Sequence, residues 1–270
     1  MSWITMIGLG WAVFASVLLV PWLIQIRTRN AGTVDVFWAY GTGAMAVWYL
    51  FATPQPNQLR ALLLAGLALF WSIRLGTHLA KRVFGEEEDG RYAAMRRALG
   101  TKANLFHFFF FQLQALWAVL FALPFWAAAQ SPRAGLDGFD VAGLLVYIVA
   151  IAGEGLSDRQ LATFRNDPSN QGKVCRSGLW GRSRHPNYFF EWVHWWSYVF
   201  FAWGSPFWWI PLLAAGVMLL FLVKLTGIPY TEQQALRTKG EAYRRYQQET
   251  NVFFPGPKRR VESPASGDPT

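Results

Sequence analysis

Charge and cysteine are scarce in this chain. Only 15% of its 270 residues are Asp, Glu, Lys or Arg, against about 25% in a soluble globular protein, which turns the reading toward a membrane class. A single cysteine, Cys175, excludes an intrachain disulfide framework and a metal cluster built from cysteines alone. The four histidines, His78, His107, His185 and His194, form neither an H-E-x-x-H nor a mixed Cys/His pattern, so no metal site is predicted. There is no G-x-S-x-G, so an acyl-enzyme lacks its nucleophile elbow. Nor is there a Walker motif, and the GxG begun by Gly8 and Gly10 lies in an apolar run without a third glycine. A bound nucleotide would therefore need something other than a Rossmann fold. No internal repeat of the kind that marks transporter halves is visible, which weakens a carrier reading.

Long uncharged apolar runs are plentiful, beginning with SWITMIGLGWAVFASVLLVPWLIQI, and several reach the roughly 18 residues that a membrane helix needs. The first has no basic start and no small-residue cleavage site, so it reads as a retained helix and not a signal peptide. Seven spans are expected, at 3–26, 34–53, 59–80, 104–129, 139–157, 188–204 and 206–226, giving an all-α polytopic membrane protein. Of 25 Lys and Arg, 22 follow span one, lie in 81–103 or 158–187, or come from Lys224 onward. The positive-inside rule then predicts the N-terminus outside and the C-terminus in the cytoplasm. The formal charge of +9 is thereby explained by topology, and no nucleic-acid partner is expected. Residues 1–255 form one expected membrane domain, and 256–270 have the composition of a disordered tail.

Ionisable residues inside such spans are costly and by default mark a site. Asn187, Glu191, His194 and Tyr198 recur at helical spacing and predict one polar face within the aromatic stretch NYFFEWVHWW. The plainer alternative is an aromatic interface belt with one snorkelling acid. Arg74, His78, Lys81 and Arg82 give span three a basic face, although Lys81 and Arg82 also suit ordinary cytoplasmic flanks. Asp35 opens span two, either as a cap or first-turn acid or as part of a site. A fourth cluster runs from Asp158 and Arg165 through DPSNQG to Lys173, Arg176, Arg182 and Arg184. Many cations beside a few acids, amides and aromatics suit a large anionic cofactor that meets an apolar substrate.

The stretches SDRQLATFRNDPSNQGKVCRSGLW, RHPNYFFEW and GIPYTEQQALRTKGEAYRRYQQETNVFFP together resemble the bacterial branch of the steroid 5-alpha-reductase family, including its members of unknown function. The HPNY region is also similar to the Δ14- and Δ7-sterol reductases. A related RHPxY element and a Glu-rich C-terminal helix occur in isoprenylcysteine and phospholipid methyltransferases, which use S-adenosylmethionine. The resemblance implies an NADPH-dependent reductase of a conjugated steroid or sterol double bond, with the cofactor in a cavity open to the cytoplasm. It implies a multi-pass protein of the bacterial inner membrane for which a monomer is sufficient, with the bilayer and a steroid-like lipid as partners.

By matching position, Asp158, Arg165, Asn187 and Glu191 fall where the steroid enzymes hold NADPH, with Lys173 in place of an Arg. Arg82, Arg184, His185 and Tyr188 are further cofactor candidates, and Glu232, Tyr243 and Tyr246 match the C-terminal helix. The mammalian enzymes hold the substrate ketone with a Glu in the second helix and a Tyr in the third. Here the second span offers Asp35 and Tyr40 and the third has no Tyr, so the candidate acids are Asp35, Tyr40, Arg74 and Tyr92.

Overall fold

The structure, a computed structural model, describes residues 2–85 and 88–259. The expected tail lies, from 260 onward, outside the described residues. Among the described residues the chain is helical, with no strand and one isolated parallel bridge between Ser183 and Asn251. Five segments are long and apolar enough to cross a membrane: Trp3–Thr28, Gln58–Gly85, Gly90–Ala129, Gly138–Asn166 and Trp209–Glu249. Two of the expected spans fall outside that set for physical reasons. The second, α3 (Thr33–Ala52), mixes Asp, Thr and Gly into its apolar residues. The sixth, α8 (Pro186–Phe201), has only 16 residues, short of the ~20 that cross a bilayer.

The first expected span is not one helix. It forms α1 (Trp3–Val17) and α2 (Leu19–Thr28), broken at Leu18. Pro21 explains the break, since it lacks the N–H that would bond the carbonyl of Val17. Ser2 caps α1 by accepting a bond from the Thr5 amide at 3.2 Å. Then follow α3, α4 (Gln58–Gly85), the short α5 (Gly90–Leu99), α6 (Ala103–Ala129), α7 (Gly138–Asn166), α8, α9 (Trp209–Leu220), a π-turn at Phe221–Leu225, and α10 (Ile228–Glu249). Seven of the residues in α10 are charged, so this last helix is too polar for hydrocarbon although it continues an apolar one.

The chain divides into two compact units, 1–143 with 198–214 and 144–197 with 215–270. In unit 1, α3 packs against α1, α4 and α6. Its GTGA stretch allows this approach: a Cβ on Gly41 would lie 1.9 Å from the Phe14 ring, and one on Gly43 would lie 2.3 Å from Ser72. The Ser72 hydroxyl bonds the Ala39 carbonyl at 2.9 Å across the same contact.

Unit 1 also contains a buried ionic clamp. Arg60 is 0% and Asp140 2% exposed, and the guanidinium grips the carboxylate through Nε at 2.8 Å and Nη2 at 2.9 Å. Its remaining donors reach the carbonyls of Ser131, Arg133 and Gly135. Arg133 joins Asp137 and, at 3.4 Å, Asp140. Arg60 and Arg133 are thus internal fastenings that tie the start of α4 to the start of α7.

In unit 2, α7 and α8 touch closely because residue 153 is glycine, where a Cβ would meet the Phe190 ring at 2.4 Å. The segment before α8 is tied to the one after α10. The Arg184 amide donates to the Asn251 carbonyl at 2.8 Å, the Gly256 amide to Arg182 at 3.0 Å, and the Ser183 hydroxyl to Phe253 at 2.7 Å.

Candidate functional site

The expected polar face of α8 is present, and its parts are held in different ways. Near the start of the helix, Asn187 Nδ2 donates to Asp158 Oδ1 on α7 at 3.4 Å, a pairing made possible by the close approach at Gly153. One turn deeper, Glu191 is buried and accepts a bond from Trp195 Nε1 at 3.0 Å. His194 is fully buried with its ring edge-on to Tyr147, centroids 5.3 Å apart. The Asn187 amide, the Glu191 carboxylate and the His194 imidazole therefore step inward along one side of the helix, as spacing alone predicts. Tyr198, the last residue of the stripe, belongs to unit 1 and packs on Phe125 at 4.3 Å.

Five other cofactor candidates converge at one anchor. Arg184 Nε meets Glu232 at 2.6 Å, while its Nη1 donates to the carbonyls of Gln247 and Thr250 at 3.0 and 2.6 Å. His185 Nε2 lies 3.3 Å from the same Glu232 oxygen, and Gln247 Nε2 donates to the other at 2.8 Å. Tyr246 donates to the carbonyls of Trp180 and Ser183 and stacks edge-on with Tyr243. Burial raises the Glu232 carboxyl, but hydrogen bonds from His185 and Arg184 outweigh it and bring its pKa down to about 2. Burial lowers His185, against the opposing pull of Glu232. Matching of the C-terminal helix implies cofactor contact for Glu232, Tyr243 and Tyr246 of this group. Its geometry makes it chiefly the fastening that holds α10 against the HPNY segment.

Arg165 and Lys173 are exposed. Burial and the nearby charge of Arg165 both lower the ammonium of Lys239, which places Arg165 and Lys239 within electrostatic range of each other. Cations that act on one another in this way suit an anionic group such as a phosphate. Lys239 was missed because a single lysine in a charged helix carries no sequence signal. Tyr188 stacks on His185 with centroids 5.5 Å apart and lies 3.3 Å from the Thr231 hydroxyl.

In unit 1 the structure gathers three candidates, Asp35, Tyr92 and Arg82. Asp35 lies in the first turn of α3, one of the two readings its position allowed, and it does more than face the helix dipole. Its Oδ1 accepts the Tyr92 hydroxyl at 2.7 Å and its Oδ2 accepts Arg91 Nη2 at 3.0 Å. Arg91 also grips Asp89, which meets Arg82 at 3.2 Å. Arg82 is thus part of an ion-pair chain running from Asp89 through Arg91 to Asp35. Tyr40 is 39% exposed and bonded to Thr77 at 3.0 Å, and Arg74, one turn before Thr77 on α4, is half-buried. Arg91 was the missed member. It lies in a run of mixed charge, GEEEDGRYAAMRR, where no spacing distinguishes it from its neighbours.

Among the described residues no cluster of three or more His, Cys, Asp or Glu is placed to hold a metal ion. Residues 21–250 match the family described as protein of unknown function DUF1295. The chain belongs to that family. It is also 27% identical over 266 residues to the uncharacterized protein C594.04c of Schizosaccharomyces pombe, an alignment covering 87% of this chain and 76% of the other. No solved structure matches it.

Proposed function

We propose that this DUF1295 protein is an NADPH-dependent membrane oxidoreductase that reduces the C4–C5 double bond of a 3-oxo-4-ene steroid or a similar enone lipid. In this reading it is a seven-span protein of the bacterial inner membrane, its N-terminus outside and its cofactor side facing the cytoplasm. The observation that carries the proposal is in unit 2. Asp158 and Asn187 pair across two close helices above the buried Glu191, while Arg165 and Lys239 leave positive charge nearby. Carboxylate and amide groups suit ribose hydroxyls and a carboxamide, and the paired cations suit phosphates. The residues present therefore fit the cofactor, with Asp158, Asn187 and Glu191 to orient it and Arg165, Lys239 and Lys173 to hold its anionic part.

When bound, NADPH supplies the hydride. The chain has to hold the substrate carbonyl and stabilise the negative charge that develops on its oxygen, usually the largest catalytic contribution. In unit 1, taken by itself, the Tyr92 hydroxyl donates its proton to Asp35 and Arg91 holds the other carboxylate oxygen.

The test is thermal stabilisation of the purified protein in detergent, because a ligand of the native state raises apparent stability by about 2.7 kcal/mol at a hundredfold excess over Kd. NADPH is expected to stabilise, S-adenosylmethionine is not, and Asn187→Ala and Asp158→Ala are each expected to weaken the NADPH effect while leaving the apo protein folded. Stabilisation by S-adenosylmethionine alone favours the methyltransferase alternative. Unchanged NADPH affinity in both variants overturns the site assignment.

A further inference from the structure

α7 carries a second feature, on the side away from the proposed cofactor residues. A cleft of about 450 Å³ opens where the apolar part of this helix ends. Leu156, Arg159, Gln160 and Thr163 line it from the helix, and Ser177 from the following loop. At 100° per residue, Leu156, Gln160 and Thr163 share one face, whereas Asp158 and Arg165 point roughly half a turn away. The cleft and the Asp158–Asn187 pair therefore occupy opposite faces of one helix.

The wall of the cleft is built, not incidental. The Leu179 amide donates to Gln160 Oε1 at 3.0 Å, and residue 178 is a glycine at φ +58° whose absent Cβ would collide with the Gln160 side chain at 2.5 Å. Asn170 Nδ2 donates to the Phe164 carbonyl at 3.2 Å and closes the far end. Asp167 is the acid on the rim. Its oxygens are taken up by bonds from Ser169 and Asn170, and Arg159 is the cation among the lining residues.

The face leading into the cleft is apolar and outward. Leu145, Val149 and Leu156 recur at spacings of four and seven on this same side and are 58%, 58% and 49% exposed. Such a stripe on a helix of membrane-spanning length meets lipid tails, and its direct continuation is a cation beside a hydroxyl. We infer that this cleft binds the phosphate of an anionic phospholipid through Arg159 and Thr163, with the acyl chains lying along Leu145, Val149 and Leu156. Basic pockets at the polar ends of membrane helices bind lipid head groups in this manner. The inference requires a membrane protein but not a reductase, so it stands or falls independently of NADPH.

The experiment uses the full chain in detergent micelles doped with dioleoylphosphatidylglycerol, with dioleoylphosphatidylcholine, or with inorganic phosphate in the buffer. Bound lipid is read by native mass spectrometry and thermal stability is followed in parallel. Phosphatidylglycerol is expected to stay bound and to raise the unfolding temperature more than phosphatidylcholine does. Arg159→Gln is expected to weaken it at least tenfold, Thr163→Val to a smaller degree, and Lys81→Gln, a surface cation on α4, not at all. Equal retention of the two lipids, equal stabilisation by inorganic phosphate, or undiminished binding by Arg159→Gln would overturn the assignment. So would an equal loss with Lys81→Gln, which would mark a diffuse charge effect.

Discussion

Replacing Arg60 by Met removes the cation of the buried clamp in unit 1 and leaves Asp140 in place. The carboxylate loses two hydrogen bonds, at 2.8 and 2.9 Å, and the Ser131, Arg133 and Gly135 carbonyls lose the donors that reach them. Arg133 Nη2 at 3.4 Å and the Asp137 amide at 3.0 Å remain to Asp140, so the charge is not abandoned entirely. Breaking a buried pair from one side costs about 3–5 kcal/mol, and the two surviving contacts favour the lower half of that range. For a chain of this size, each kcal/mol shifts the midpoint by about 2–4 °C. A fall of roughly 6–15 °C is expected in thermal unfolding followed by circular dichroism in detergent. The double variant Arg60→Met with Asp140→Leu removes both charges, and it is expected to recover most of the loss because an apolar pair of similar volume replaces a buried ion pair at little cost. A single variant within about 1 kcal/mol of the parent, or a double variant worse than the single, would refute the claim that this pair is desolvated and coupled.

Two further outcomes follow from the site geometry. Tyr92→Phe keeps the ring between Arg91 and His107 but removes the hydroxyl that donates to Asp35; it is expected to cost about 1.5–3 kcal/mol, the usual worth of a hydrogen bond to a charged group, in thermal unfolding, and an unchanged midpoint contradicts the reading of this pair as a fastening. Stability is expected to fall on acidification: His185, neutral in the fold because burial lowers it, takes up a proton more readily when unfolded as pH drops through about 6.5, and Glu232, stabilising above its ordinary 4.5, loses that contribution as pH falls toward about 2. His185→Gln is expected to flatten the upper part of that decline, and an unchanged slope between about pH 7 and 5 contradicts the assignment of His185 as buried and neutral.

The helical fold and the polar face of α8 were legible because both rest on periodicity. Apolar runs announce membrane helices, and residues four and three apart must share a side, so Asn187, Glu191 and His194 follow from spacing alone. The break at Leu18 was readable only from Pro21, whose effect on the preceding turn an apolar run conceals. Contacts between residues far apart in the chain left no mark. Arg60 and Asp140 are 80 positions apart, and Asp35 and Arg91 are 56 apart. A charge at the end of a helix looks solvated until the fold brings its partner to it. Matching by family had the complementary weakness. It named Arg184, His185, Glu232, Tyr243 and Tyr246 one by one as cofactor candidates, and a match of motifs carries no information on the hydrogen bonds that join them to one another.

The most direct measurement is NADPH oxidation by the purified full chain in proteoliposomes, followed by nicotinamide absorbance before and after addition of a 4-ene-3-keto steroid. The account predicts steroid-dependent oxidation that yields the 5-alpha-reduced product and is lost in Asn187→Ala. NADPH that binds but is not consumed with any enone steroid would contradict the proposed reaction while leaving the cofactor site standing; absence of binding would contradict both.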